Sequence, residues 1–98
     1  MPDRHAILWT GPAIEDLRDI REYVNRDNPI AAKRLATRIL DGVKRLARLP
    51  RSGRIVPELS GLGFREVIVA PYRVVYLIKD RQVVILRVWH GRSDLPPG

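Results

Sequence analysis

Histidine and cysteine, which often serve acid–base, nucleophilic and metal chemistry, are scarce in this 98-residue chain. Cysteine is absent, which excludes disulfides and thiolate metal ligands. The two histidines, His5 and His90, lie near opposite ends of the chain and have no metal-ligand spacing. No glycine-rich loop has the spacing that cradles a phosphate. We therefore expect no metal, cofactor or nucleotide site, and the excess of positive charge becomes the main chemical feature.

The positive charge is concentrated in the later part of the chain. The formal net charge is +7. Residues 1–28 have a balance of −2, with six acidic residues and four arginines, whereas residues 29–98 have a balance of +9, with fourteen Lys or Arg and five acidic residues. This asymmetry favours a polyanion or an acidic protein as a partner, the alternative being a basic protein that has no such partner.

Two helices are expected before the middle of the chain. Thr10-Gly11-Pro12 predicts the start of the first, and apolar residues recur at helical spacing over residues 12–26. Asn28-Pro29 predicts the start of the second, which Pro50 closes. The polar side of the second helix carries a stripe of arginines, which could face a partner or only solvent: Arg34, Arg38, Arg45 and Arg48.

Strand-like segments flank this helical hairpin. Residues 4–10 predict an opening strand at a sheet edge, and 51–63 a loop. Three runs rich in Val, Ile and aromatic residues predict an antiparallel meander: Phe64–Val69, Tyr72–Ile78 and Val83–Trp89. The expected fold is therefore α+β, with an N-terminal strand, an antiparallel αα-hairpin and a three-stranded antiparallel meander in one domain spanning 1–98. We expect residues 93–98 to be a disordered tail.

The chain also has no apolar run long enough to span a membrane and no signal peptide. A cytoplasmic location is expected on this ground.

Trp9 and Tyr23 fall on predicted apolar faces, so we expect both in the core.

Both faces of the predicted sheet are apolar. Two-residue turns would place Val69 opposite Tyr72 and Ile78 opposite Val83. One face would then carry Phe64, Glu66, Ile68, Arg73, Val75, Leu77, Val84, Leu86 and Val88, and the other would include Arg87 and Trp89. Because two consecutive helices cover one face only, we expect the other to bind a protein partner. The alternatives are that the second helix, the loop and the tail cover both faces, or that the chain dimerises.

The order and spacing of several short motifs resemble those of the ParE/RelE superfamily of toxins, from type II toxin–antitoxin and plasmid stabilisation systems. These motifs are Trp9-Thr10, Asp16-Leu17, Ala31-Ala32, Leu49-Pro50, Gly53-Arg54, Gly63-Phe64-Arg65-Glu66, Tyr72-Arg73-Val74-Val75-Tyr76 and Val88-Trp89-His90-Gly91-Arg92. The resemblance covers nearly the whole chain. It implies a toxin that is neutralised by a ParD-like antitoxin in a heteromeric complex and contacts DNA only through that antitoxin.

The resemblance further separates two activities. RelE-like members cut messenger RNA on the ribosome, and two lysines of RelE match Phe64 and Glu66 here, although Arg73 and Arg92 match its arginines. An apolar ring and a carboxylate cannot neutralise a phosphate in a transition state. The resemblance therefore favours the ParE branch, whose members are understood to inhibit DNA gyrase by protein contact.

A ribosome-dependent endoribonuclease that resembles YoeB is the alternative. It would use Glu58, Arg73, His90 and Arg92 as an acid–base and phosphate-binding set. The predicted register puts Arg73 and His90 on the same face at the same end of the sheet. A histidine with a structural role at a strand end is the competing interpretation.

Two surfaces follow from the ParE interpretation. The antitoxin is expected to lie across the uncovered sheet face, on Phe64, Glu66, Arg73, Val75, Leu77 and Leu86. The candidates for contact with the target are Arg34, Arg38, Arg45 and Arg92.

Overall fold

A computed structural model, which describes residues 4–59 and 61–91, shows a helical hairpin packed on a five-stranded sheet. The predicted α+β fold is confirmed. The expected tail at 93–98 and Arg92 lie outside the described residues. The elements are β1 (Ala6–Trp9), α1 (Gly11–Asp27), α2 (Pro29–Lys44), β2 (Arg54–Ile55), β3 (Arg65–Val69), β4 (Tyr72–Lys79) and β5 (Gln82–His90).

Both helices begin where their capping residues predict. The Thr10 hydroxyl accepts a hydrogen bond from the Ala13 N–H, and the Asn28 side chain accepts one from the Ala31 N–H at 3.0 Å. The end of α2 was predicted too late, because the α-helix stops at Lys44 and continues as a 3₁₀ turn over Arg45–Ala47. Apolar spacing does not distinguish a last 3₁₀ turn from α-helix.

The strands lie in the order β1-β5-β4-β3-β2. As expected, β1 joins the edge of the sheet, where it runs parallel to β5, and β3, β4 and β5 form an antiparallel meander. The turn between β4 and β5 places Asp80 and Arg81 at φ values of 51° and 63°, which suits a two-residue hairpin. The two-residue strand β2 lies within the segment predicted to be a loop.

A β-bulge corrects the predicted register of β5. The pairing follows the expected register up to Tyr76 opposite Ile85, and then shifts so that Val75 lies opposite Arg87. Leu86 is the extra residue. Because each side chain beyond the bulge changes face, the predicted faces are wrong for the end of β5.

The consequence of the bulge is largest for Val88 and His90. Val88 turns toward the helices and is buried, whereas Arg87 and Trp89 move to the opposite face. His90 pairs with Tyr72, so its predicted position on the face of Arg73 is wrong. The two residues still share one end of the sheet.

The core lies between the hairpin and one face of the sheet. Trp9 packs against it as expected. Tyr23 does not, because Ile20 and Val24 take the inward positions of α1 and leave the Tyr23 side chain 68% exposed. The buried members of the core include Ala13, Leu35, Ile39, Val43, Leu46, Val69, Val74, Tyr76, Val83, Ile85 and Val88.

The opposite face is partly covered by the chain itself. Residues 50–59 and 61–64, here called the covering segment, pair with β3 through β2, and the Val56 N–H donates to the Phe64 carbonyl at 3.0 Å. Val56 and Val75 are consequently buried. The expectation of a wholly uncovered face is therefore wrong at this end, while Leu8 and Ile68 remain about half exposed.

Candidate functional site

Four charged residues meet on the sheet face beneath the covering segment. Glu66 of β3 and Arg73 of β4 point to this face, because their neighbours along each strand point into the core. Arg54 of β2 and Glu58, from a 3₁₀ turn over Pro57–Leu59, complete the group. We call these four residues the ion-pair cluster.

Arg73 is the centre of the ion-pair cluster. Its Nε donates to Oε1 of Glu66, while Nη1 and Nη2 donate to the two carboxylate oxygens of Glu58 at 2.8 and 3.0 Å. The second oxygen of Glu66 accepts from Nε of Arg54. Arg73 and Glu66 are buried, so solvent screens their ion pair little, and the more exposed Arg54 and Glu58 balance the remaining charges.

The electrostatics of the ion-pair cluster follow from these contacts. The forked hydrogen bond from Arg73, aided by a backbone hydrogen bond, lowers the pKa of Glu58 from 4.5 to about 2. Hydrogen bonds to Glu58 and then Glu66 raise the pKa of Arg73 above its usual range despite its burial. Both pKa shifts favour the charged forms, so the Glu58–Arg73 pair is ionised at neutral pH.

His90 reaches the same region from the other side of the sheet end. Its ring meets that of Tyr72 edge to face, with the centroids 5.8 Å apart. A cleft of about 650 Å³ is lined by Arg54, Pro57, Glu58, Ile68, Ala70, Pro71, Tyr72, Arg73, His90 and Gly91, and we call it the His90 cleft. The structure therefore brings Glu58 and Arg73 into contact and places His90 on the wall of the same cleft.

The residues expected to bind the antitoxin differ in accessibility. Glu66, Arg73 and Val75 are buried under the covering segment. Phe64, Leu77 and Leu86 keep intermediate exposure. Only this second group offers side-chain surface in the free chain.

Three of the expected target-facing arginines, two on α2 and Arg45 on the 3₁₀ turn after it, divide between two places. Arg34 and Arg38 are exposed beside Ile30 and line shallow clefts with it. Arg38 also donates through Nη2 to the carbonyl of Ala70 in the β3–β4 turn. Arg45 instead lines a different cleft of about 340 Å³ along β3, which we call the edge cleft.

The β3–β4 turn joins the α2 arginines to the end of β5. Arg38 contacts Ala70 on one side of this turn, and the Gly91 N–H donates to the Pro71 carbonyl at 2.8 Å on the other. Two candidate regions that are far apart in the sequence thus form one continuous surface.

The sequence interpretation missed the residues that fasten the covering segment. The Tyr76 hydroxyl donates to the Pro50 carbonyl at 2.6 Å and accepts from the Gly53 N–H at 3.0 Å. A Cβ on Gly53 would lie 2.4 Å from that hydroxyl oxygen, so only glycine fits. The Gly53-Arg54 motif was the sequence signal for these contacts, because Gly53 binds Tyr76 and Arg54 belongs to the ion-pair cluster.

Asp16 of α1 was missed as well. Beyond the end of β1, its carboxylate accepts from the Val88 N–H at 2.9 Å and forms a forked pair with Arg87. Arg87 also lies over the Trp89 ring, 5.0 Å from its centroid. Asp16 thereby caps the part of the β5 edge that β1 leaves open.

Residues 4–59 and 61–91 contain no group of three His, Asp or Glu side chains arranged to hold a metal ion. No helix in these ranges is long and apolar enough to cross a membrane.

Comparison with known proteins shows the family to which the chain belongs. The family described as "ParE toxin of type II toxin-antitoxin system, parDE" matches residues 7–95. Toxin RelE2 of Caulobacter vibrioides is 38% identical over 86 residues, which are 87% of this chain and 93% of that protein. Toxin ParE3 of the same organism is 33% identical over 90 residues, or 91% and 89% of the two chains.

The fold agrees with the sequence comparison. A chain from a structure titled "Chromosomal ParDE TA system from P. aeruginosa" superposes with a TM-score of 0.77 at 23% identity, covering 90% of this chain and 97% of that one. The family match spans most of the chain, and its relatives are matched over most of their own length. The chain therefore belongs to the ParE family of toxins of type II toxin–antitoxin systems within the ParE/RelE superfamily.

Proposed function

We propose that this toxin acts on its target by protein–protein contact and does not cleave RNA. DNA gyrase is the target that the ParE resemblance implies. The observation that carries the proposal is the engagement of Arg73 by two glutamates within the ion-pair cluster.

An RNA-cleaving site needs positive charge that is open toward the scissile phosphate. Here the fork of Arg73 is already occupied by Glu58, and its Nε by Glu66. The cluster as a whole has no net charge, because Arg54 balances the second glutamate. Phe64 and Glu66 stand where the resemblance places the lysines of RelE, so they supply no cation in compensation.

A second candidate function has one observation in its favour. Glu58, Arg73 and His90 line the same cleft, which is the set that a YoeB-like nuclease would use. A glutamate and a histidine could exchange protons with the ribose hydroxyl and the leaving oxygen. This candidate needs Glu58 to release the fork of Arg73 when RNA binds.

Induction of the chain in bacteria separates the two candidates. We expect DNA breaks, the SOS response and filamentation before any loss of translation, and the same growth arrest from His90→Ala as from the unchanged chain. His5→Ala is the matched control. Early fragmentation of messenger RNA that disappears in His90→Ala would reject the proposal, and absence of any growth defect would reject both candidates.

We also propose that a ParD-like antitoxin binds this toxin along β3. The strand β2 pairs only with Arg65 and Glu66, and no other strand in the described ranges pairs with this side of β3. The edge cleft is lined by Val67 and Ile68 of the unpaired part of β3 and by Leu49, and Leu49 and Ile68 are exposed apolar side chains, as is Ile55 on the neighbouring strand β2. An extended segment could add hydrogen bonds at this edge and bury these side chains.

Ile68→Lys tests this mode of binding, with Ile14→Lys on α1 as the control at a similarly exposed position. Calorimetry with the antitoxin should show a loss of affinity of about tenfold or more for Ile68→Lys, because a charge replaces an apolar anchor. Equal affinities for the two variants would contradict binding along β3.

A further inference from the structure

We propose that Glu58 is an internal ligand of an oxyanion site, and that an acidic side chain of the protein segment bound along β3 replaces it in the complex. This inference rests on the binding mode proposed above. It concerns the fork of Arg73, the cleft in front of it and the turn that carries Glu58.

The fork of Arg73 is held in place independently of Glu58. The Arg73 side chain is 7% exposed, and its Nε is bound to Glu66, which is fully buried. Arg54 binds the other oxygen of Glu66 and so fixes that carboxylate in turn. The two Nη atoms therefore present a rigid pair of donors, the geometry that binds a carboxylate or a phosphate with two parallel hydrogen bonds.

Glu58 is the replaceable member of the ion-pair cluster. Its side chain is 45% exposed, whereas Glu66 and Arg73 are buried. The other three members lie on strands, but Glu58 lies on a single 3₁₀ turn over Pro57–Leu59. Removal of the Glu58 charge leaves two arginines against Glu66, a balance of +1 at the bottom of the His90 cleft.

The location of the cleft indicates where the replacing group comes from. Arg54 and Ile68 line both the edge cleft and the His90 cleft, so a segment bound along β3 would pass directly in front of the fork. Pro57, Ile68 and Pro71 make its mouth largely apolar, which suits the aliphatic stem of an Asp or Glu side chain.

Nucleic acid suits this cleft less well than a protein carboxylate. A phosphate backbone gains its affinity from a row of several cations. The cleft offers two arginines that are already paired with a buried carboxylate. The group that the structure shows in the fork is itself a carboxylate.

The test compares Glu58→Gln with the unchanged chain and with Glu22→Gln, an exposed glutamate of α1. Each protein is titrated with acetate and, separately, with dimethyl phosphate, while backbone amide NMR signals near Arg54, Arg73 and Gly91 are followed. We expect Glu58→Gln to bind acetate about tenfold more tightly than the other two, since a charged fork is then open. Equal acetate binding in all three proteins would overturn the inference. Saturable binding of dimethyl phosphate by a protein that does not bind acetate would overturn it as well.

Two further readouts keep the test decisive. If Glu58→Gln is too unstable for NMR, acetate should raise its Tm more than that of Glu22→Gln, and an equal rise would count against the site. Glu58→Gln should also bind the antitoxin more tightly, because no internal carboxylate competes; unchanged or weaker binding would overturn the exchange. The acetate titration does not involve the antitoxin. If Glu58→Gln shows no tighter acetate binding while antitoxin binding along β3 is normal, this inference fails and the proposed function stands.

Discussion

Arg73 shows how one side chain can keep its place while its chemistry changes with its neighbours. An arginine in this position resembles one that steadies phosphate in RelE-like nucleases. In this chain Glu66 stands beside it, and the covering segment adds Glu58, so its charge is balanced within the fold. The sequence identified Arg73, Glu58 and His90 as candidates. It could not show that the Arg73 guanidinium is already bound by Glu58, because that contact depends on how a segment without periodicity folds.

Glu58 should make the stability of the toxin depend on acid. Its pKa falls from 4.5 to about 2 on folding, so it stabilises the fold fully above pH 4.5 and loses this effect as the pH falls toward 2. Glu58→Gln should therefore be less stable than the unchanged chain at pH 7, and the gap should narrow between pH 4.5 and 2. Urea unfolding at several pH values measures this difference in the free energy of unfolding, with Glu22→Gln as the control. A difference that does not change with pH would contradict the role of Glu58.

Tyr76 should be important for stability although it lies outside the candidate site. Loss of its hydroxyl in Tyr76→Phe leaves the Pro50 carbonyl and the Gly53 N–H without their partner in a largely buried place. We expect a loss of about 1–3 kcal/mol in the free energy of unfolding. Tyr23→Phe, at a largely exposed tyrosine, should change it by less than about 0.5 kcal/mol. Similar values for the two variants would show that Tyr76 does not fasten the covering segment.

At the scale of the elements, the parts set by local signals were predictable from the sequence, and those set by long-range contacts were not. The caps at Thr10 and Asn28 and the two-residue turns were correct. The bulge at Leu86 was not predicted because both sheet faces are apolar there. The alternation of polar and apolar residues that would reveal an extra residue is therefore absent from this part of β5. The covering segment has no periodicity, and Tyr76, Arg65 and Arg73 position it from distant strands.

The α2 helix should carry the contact with the target, because Arg34 and Arg38 are exposed on it and Arg38 meets the β3–β4 turn. Arg34→Glu combined with Arg38→Glu should relieve growth arrest while antitoxin binding stays within about threefold of normal. The matched control is Arg18→Glu with Arg21→Glu, two exposed arginines of α1. Growth assays and calorimetry measure the two properties, and full toxicity of the α2 variant would place the contact elsewhere.

At the scale of the whole molecule, the charge asymmetry and the two-sided sheet point to a protein that works through partners. Five of the six early acidic residues lie in α1, whose Asp16 closes the β5 edge, and the later basic residues include the exposed Arg34 and Arg38 of α2. The chain covers part of its second face itself, and within the described residues β3 beyond Glu66 is unpaired on the β2 side, beside exposed apolar side chains. The proposed interactions, with an antitoxin at β3 and with a target at the α2 surface, would use both features.

The most direct measurement of the central claim is a reconstituted supercoiling reaction with purified gyrase, plasmid DNA, ATP and this chain. The account predicts that the chain, in amounts comparable to gyrase, converts plasmid into broken DNA that appears when gyrase is digested away. Prior addition of the antitoxin should prevent this. Normal supercoiling at a large excess of the chain, together with cutting of messenger RNA when the same preparation is added to translating ribosomes, would contradict the account.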